Sequence, residues 1–222
     1  KTAKIASAFK SADVLVVLSH FTGHVISGFG ATIKNLGMGC ASRAGKLEQH
    51  SDVHPWITPK ACRNCSICLE YCPSEALEQE EDHVRILDER CIGCGECLVV
   101  CPYEAVKMRW DSDAGRVQEK MAEYAFAVVQ RLDRRAGFLN FLIRITRDCD
   151  CMSKSGTLIA DDLGILGSKD PVAVDKAAVD LLMEKNGKDF LKAAHEVDWS
   201  VQLEHAERIG LGNTDYELIS LD

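Results

Sequence analysis

The chain has 222 residues, 46% of them apolar and 27% charged, with 26 basic against 34 acidic side chains and a net charge of −8. This is the composition of a globular protein rather than a disordered one. The acidic balance argues against a nucleic-acid groove, and no apolar run approaches the length that spans a bilayer. Residues 13–19 (DVLVVLS) are a Val-rich run that reads as a buried strand. A glycine-rich stretch follows, with Gly23, Gly28, Gly30, Gly37 and Gly39. Farther on, Val117, Met121, Tyr124, Val128 and Leu132 recur at helical spacing, with Glu119 and Glu123 early and Arg131, Arg134 and Arg135 late. Residues 138–145 (FLNFLIRI) read as a second buried strand and Gly164-Ile165-Leu166 as the centre of a third. Asp170-Pro171 pairs an N-cap with proline at the first helical position, opening a helix that should end at Gly187. Val174, Ala178 and Leu181 fall on one face of that helix. One or two further helices cover 189–209, and residues 217–221 read as a last strand. Strands alternating with helices predict an α/β domain with a mixed or partly parallel sheet.

Eleven cysteines are present, and eight of them lie within forty residues. Cys62, Cys65, Cys68 and Cys72 read C-x-x-C-x-x-C-x-x-x-C and precede Pro73. Cys91, Cys94, Cys97 and Cys101 repeat the spacing 29 residues later and precede Pro102. This is the signature of bacterial two-cluster ferredoxins. Two-residue gaps wrap three thiolates around one cluster, and the fourth cysteine, expected to open a short helix, reaches the other. Cluster one is assigned to Cys62, Cys65, Cys68 and Cys101, and cluster two to Cys91, Cys94, Cys97 and Cys72. The competing reading is zinc, which normally uses two C-x-x-C pairs across a longer loop without the third cysteine or the trailing Cys-Pro. The expectation is two [4Fe-4S] clusters in an α+β ferredoxin-like module over 57–110. That module is inserted into one discontinuous domain built from 1–56 and 111–222. Such clusters call for a reducing, oxygen-poor compartment, the cytoplasm. Starting at Lys1 rather than Met, the chain reads as a fragment or a processed product.

Several segments outside the cysteines resemble a known family. They are Ala12-Asp13-Val14-Leu15, the run from Ser27 through Lys34-Asn35-Leu36 to Gly39, Gly164-Ile165-Leu166, and Asp170-Pro171-Val172-Ala173-Val174-Asp175. Together they resemble an iron–sulfur family known only as domain of unknown function 362. The resemblance spans nearly the whole chain. It implies an α/β domain that often carries a two-cluster ferredoxin insert, and it implies no activity.

Three cysteines remain: Cys40, Cys149 and Cys151. In Asp148-Cys149-Asp150-Cys151 two thiols at i and i+2 can reach one metal, and the flanking acids disfavour a reactive thiolate. Parallel pairing of the strands ending near Ser19 and Ile145 would gather His20, Cys40 and Cys149 at one sheet edge, where α/β folds bind ligands. A candidate third metal or redox site therefore comprises Cys149 and Cys151 with Cys40, His20 or His24. Buried cysteines and solvated histidines are the competing reading. Gly28-Phe29-Gly30 lacks the third glycine of a dinucleotide fingerprint, and Gly45-Lys46-Leu47 lacks the Ser or Thr of a phosphate loop. Lys34, Asn35, Arg43 and Lys46 suggest a pocket for a small anionic substrate, against an ordinary basic loop.

The leading expectation is an electron-transfer protein. The acids Glu70, Glu75, Glu78, Glu80, Glu81, Asp82, Asp88 and Glu89 would steer a redox partner protein to the cluster module. A redox enzyme is the alternative, with substrate or a third metal near Lys34, Cys40 and Cys149. A purely structural role for the clusters is a third reading. Neither nucleic acid nor membrane is an expected partner.

Overall fold

The computed structural model describes residues 2–50, 55–93, 95–108, 114–152, 156–186 and 190–221. The chain divides into two compact units, Lys1–Gly45 with Gly115–Asp222, and Lys46–Ala114. From the N-terminus run β1 (Leu15–His20), β2 (Thr22–His24), β3 (Gly28–Gly30), α1 (Thr32–Lys34) and α2 (Arg43–His50). The second unit holds β4 (Pro55–Ile57), α3 (Ile67–Glu70), β5 (Leu77–Gln79), β6 (Val84–Ile86), α4 (Glu96–Val100) and β7 (Val106–Met108). The chain then continues through α5 (Ala114–Arg131), β8 (Ala136–Leu142), β9 (Gly164–Ser168), α6 (Pro171–Asn186), α7 (Phe190–Ala194) and α8 (Ser200–Arg208).

In the first unit β1 pairs parallel to β8, in register from Leu15↔Ala136 to His20↔Phe141. Strand β9 then pairs antiparallel to β8. The sheet is therefore mixed, and the fold is α/β with a partly parallel sheet. Its inner face presents Val17, Phe138 and Leu142 to one apolar core with Ala125, Val128 and Leu132 of the α5 region and Val174, Ala178 and Leu182 of α6. The helical spacing read between Val117 and Leu132 is the buried stripe of α5 and its end.

The outer face differs from expectation. Val14, Val16 and Leu18 are 62%, 64% and 59% exposed, so the first apolar run is not a strand buried on both sides. Strand β1 is at the sheet edge, and only its inward residues Val17 and Ser19 are buried. The second expected strand stops at Leu142, because the chain bends at Ile143-Arg144, where Arg144 has φ 48°. Residues 217–221 form no strand. Leu218, Ile219 and Leu221 are exposed there and pair with no sheet edge. Gly187 lies outside the described residues. Among those described, no helix is long and apolar enough to cross a membrane.

Two aspartates, one capping α6 and one inside it, hold the unit together. Asp170 caps the helix, its Oδ1 accepting the N–H groups of Val172 (2.8 Å) and Ala173 (3.0 Å). Asp175 is fully buried and serves a different helix. Its carboxylate accepts the N–H groups of Thr32 (2.9 Å) and Ile33 (2.8 Å) and the Asn140 Nδ2 amide (2.7 Å). Thr32 Oγ1 donates to Asn140 Oδ1 at 2.7 Å, so α6, β8 and α1 share one polar knot. Burial pushes the Asp175 carboxyl up to about 6, against the pull of these donors.

The described residues of the loop between β8 and β9 form no helix or strand but are tied at many points. Arg147 N–H donates to Thr157 O (2.8 Å), Ile159 N–H to Ile145 O (2.9 Å) and Gly23 N–H to Thr146 O (2.8 Å). Contact with β2 is so close that a Cβ on Gly23 would overlap the Arg147 carbonyl oxygen.

The second unit repeats itself. Left-handed φ values occur at Asn64, Ser66 and Glu75, and again 29 residues later at Gly93, Gly95 and Glu104. Each two-stranded sheet joins one strand from each half: β4 with β7, and β5 with β6. The linking hydrogen bonds repeat too, with Thr58 N–H to Ala105 O and Leu87 N–H to Ala76 O, both 2.8 Å.

Two outcomes follow for the first unit. Asp175→Asn turns an amide N–H₂ toward backbone donors and should destabilise the fold by about 2–3 kcal/mol. The native fold holds the Asp175 proton more tightly than the unfolded chain does. Its contribution is thus full below about pH 3.8 and is lost as pH rises through about 6. Urea titrations across that window should show the gap between wild type and variant narrowing as pH rises. Gly23→Ala should cost about 1–3 kcal/mol through overpacking, with faster amide hydrogen exchange over residues 146–152.

Candidate functional site

The second unit gathers its thiols in two places. Cys62, Cys65, Cys68 and Cys101 line one cavity, walled by Ile57, Val84 and Val106. Cys72, Cys91 and Cys97 line another, walled by Pro55, Leu77 and Ile86. Cys94, assigned to the second set, lies outside the described residues. The left-handed turns at Asn64, Ser66, Gly93 and Gly95 bend the chain between successive cysteines. The helices differ in one respect from expectation. The third cysteine of each set sits in the short helix, and the fourth follows the helix end rather than opening it. That offset carries Cys101 to the first cavity and Cys72 to the second.

Electrostatics in the first cavity are opposed. Burial pushes the Cys68 thiol up, and the neighbouring Cys62, Cys65 and Cys101 sulfurs push the same way. Cys101 is held below the ordinary thiol value. Burial there is outweighed by backbone N–H groups of Ala105, Tyr103, Val106 and Glu104. At the equivalent place in the other half, Ala76 N–H donates to Cys72 Sγ at 3.3 Å. Thiolates crowded against an apolar wall repel one another unless a cation shares them, which is the chemistry of a soft-metal site.

The first unit holds a separate cleft of about 300 Å³, lined by Ser19, His20, Lys34, Asn35, Asp150 and the pair Cys149 and Cys151. It lies where the parallel strands β1 and β8 end, at the sheet edge favoured for ligands. Asn35 Nδ2 donates to Leu18 O and to Ser19 Oγ, both at 3.0 Å, which fixes the turn carrying Lys34. The Lys34 stem lies against Gly30, where a Cβ would come within 2.8 Å of Cδ. Its Nζ donates to Cys149 Sγ at 3.6 Å and to Cys151 Sγ at 3.9 Å. Burial pulls the Lys34 ammonium below the usual lysine value, and the Asp150 charge opposes that pull.

Cys149 and Cys151 are joined by a disulfide. A nitrogen of His24 and the two sulfurs lie within 4.8 Å of one another, a grouping that could hold a metal once the sulfurs are thiolates. His20 lines the cleft, but both its nitrogens face oxygen acceptors, Nδ1 at 2.7 Å from Asp150 Oδ2 and Nε2 at 2.7 Å from Ile143 O. His20 thus braces Asp150 and the Ile143 carbonyl. Cys40 is not in this group. It is buried in the apolar core, and its carbonyl accepts the Ala6 N–H at 2.9 Å. Arg43 and Lys46, considered for an anion pocket, do not line the cleft. The enzyme reading groups Lys34 with Cys149 and Cys40; Lys34 does meet Cys149, and Cys151 with it, while Cys40 lies in the core. Direct donation from Nζ to the sulfurs has no signal in the sequence.

A search of curated proteins finds no match. The profile of the family described as Domain of unknown function (DUF362) matches residues 1–180, four-fifths of the chain. With that coverage, the chain belongs to the DUF362 family.

Proposed function

We propose that the protein transfers electrons through two [4Fe-4S] clusters in the second unit. The supporting observation is the sorting of thiols. Three cysteines of one loop meet the fourth of the other at one cavity, and among the described residues Cys91 and Cys97 meet Cys72 at the second. Cys62, Cys65, Cys68 and Cys101 would hold one cluster, and Cys91, Cys94, Cys97 and Cys72 the other. When bound, each cluster supplies a one-electron couple. The chain's own part is to ligate, to exclude water with Ile57, Val84, Leu77 and Ile86, and to donate N–H groups to sulfur, which tunes the couple. Exposed Glu70, Glu75, Glu81, Asp88 and Glu89 offer an acidic face to a basic redox partner protein. The cleft at Lys34 favours a second reading, in which the α/β unit is catalytic and draws on these electrons.

Anaerobically purified protein should contain about eight irons per chain and give an EPR signal on dithionite reduction that disappears on reoxidation. Colourless, iron-free protein that is still folded overturns the reading. Cys101→Ser should lose roughly half the iron, because each cluster draws on both halves. Reduction by a basic donor protein should slow as ionic strength rises, measured by stopped-flow absorbance.

A further inference from the structure

We propose that Cys149 and Cys151 form a two-electron redox centre that cycles between disulfide and dithiol, with the exposed Cys151 sulfur meeting an external dithiol in the Lys34 cleft. Three observations carry this. The bond links residues two apart in sequence, so it closes almost no loop and constrains the unfolded chain little. A disulfide so placed contributes little as a structural staple. The two sulfurs are also unequal, since Cys149 is buried and Cys151 is exposed. That is the arrangement of an attacked sulfur and a sheltered leaving sulfur.

Donors are already aimed at the leaving sulfur. Lys34 Nζ donates to Cys149 Sγ at 3.6 Å, and the Cys151 N–H donates to it at 3.4 Å. Both would stabilise negative charge there. His24 Nδ1 nearby is engaged by the N–H groups of Ile26 and Ser27, both at 3.2 Å, and by Ser27 Oγ at 3.0 Å.

The chemistry balances with a dithiol as reductant. A thiolate of the external dithiol attacks Cys151 Sγ and forms a mixed disulfide. The Cys149–Cys151 bond breaks, and its electron pair leaves on Cys149 Sγ as a thiolate held by Lys34 and the Cys151 N–H. The reductant's second thiolate then attacks its own sulfur in the mixed disulfide and releases Cys151 as a thiolate. The reductant leaves as a disulfide, and its two protons end on the two protein thiols. The reverse sequence reduces a disulfide substrate.

The tryptic peptide of residues 148–154 holds both sulfurs and no other cysteine, so alkylation mapped by mass reads this centre alone. Full-length protein exposed to oxidised glutathione should give this peptide unalkylated. After dithiothreitol it should gain two alkyl groups, and renewed oxidation should return it to the disulfide. In Cys149→Ser, oxidised glutathione should leave one stable adduct on Cys151. In Cys151→Ser, the buried Cys149 should take up at least about tenfold less. Lys34→Gln should open the disulfide about tenfold more slowly with dithiothreitol. The proposal is overturned if the peptide never re-forms the disulfide. It is equally overturned if a bound metal shields both thiols in reduced protein, or if the two single variants label alike. None of these readouts depends on iron, so loss of the clusters and loss of this centre are distinguishable results.

Discussion

A single buried carboxylate organises the first unit. Asp175 is fully buried in α6, and burying a charge is costly unless donors surround it. Thr32, Ile33 and Asn140 supply those donors, and in doing so they fasten the start of α1 to α6 and β8. Lys34 and Asn35 lie one turn farther on, so their position is inherited from that knot. Because β1 and β8 run parallel, both strands end at the same sheet edge. The segments leaving them, with His20 on one and Cys149 to Cys151 on the other, therefore meet beside Lys34.

In the second unit the organising constraint is repetition. A short half cannot bury its own apolar residues, and two-stranded ribbons are marginal alone. Pairing β4 with β7 and β5 with β6 lets each half complete the other, around Leu77, Val84, Cys97 and Val106. The same exchange decides where the thiols go. The fourth cysteine of each set trails the short helix and crosses to the cavity built by the other half. Sorting of thiols and pairing of strands are thus one geometric fact.

Much of this was legible in the sequence, for identifiable reasons. Cysteine spacing is rigid over short distances, so the grouping of Cys62, Cys65 and Cys68 needed no tertiary knowledge. Periodicity located α5, and Asp170-Pro171 located the start of α6, because both signals are local. Burial of the first strand was misread. Val14, Val16 and Leu18 look like core residues, and only the sheet order shows that their face is open. Asp175 was equally opaque. A polar residue one turn into a helix usually faces water, and two of its partners, Thr32 and Ile33, lie more than 140 residues away in sequence. Cys40 failed in the opposite sense, since its place in the glycine-rich segment suggested the cleft while the helical turn before it points the residue into the core. Residues 217–221 look strand-like in sequence but pair with neither edge strand, β1 or β9, so a short apolar pattern alone builds nothing.

The asymmetry of the sulfur pair has a local cause. In an extended strand, residues at i and i+2 share one side and would be equally exposed. Here Met152 N–H donates to Cys149 O at 2.9 Å, closing a turn over Asp150 and Cys151. The turn lifts Cys151 outward while Cys149 stays at its base. His20 grips Asp150 at the turn's crest, and His195 Nε2 donates to Arg147 O at 2.8 Å just before it. A loop without secondary structure gains from these ties the rigidity that a reactive pair needs, since sulfur exchange depends on which atom an incoming thiolate can reach. The many tie points among the described residues after β8 thus have one consequence: one sulfur is presented to the cleft and its partner is sheltered beneath it.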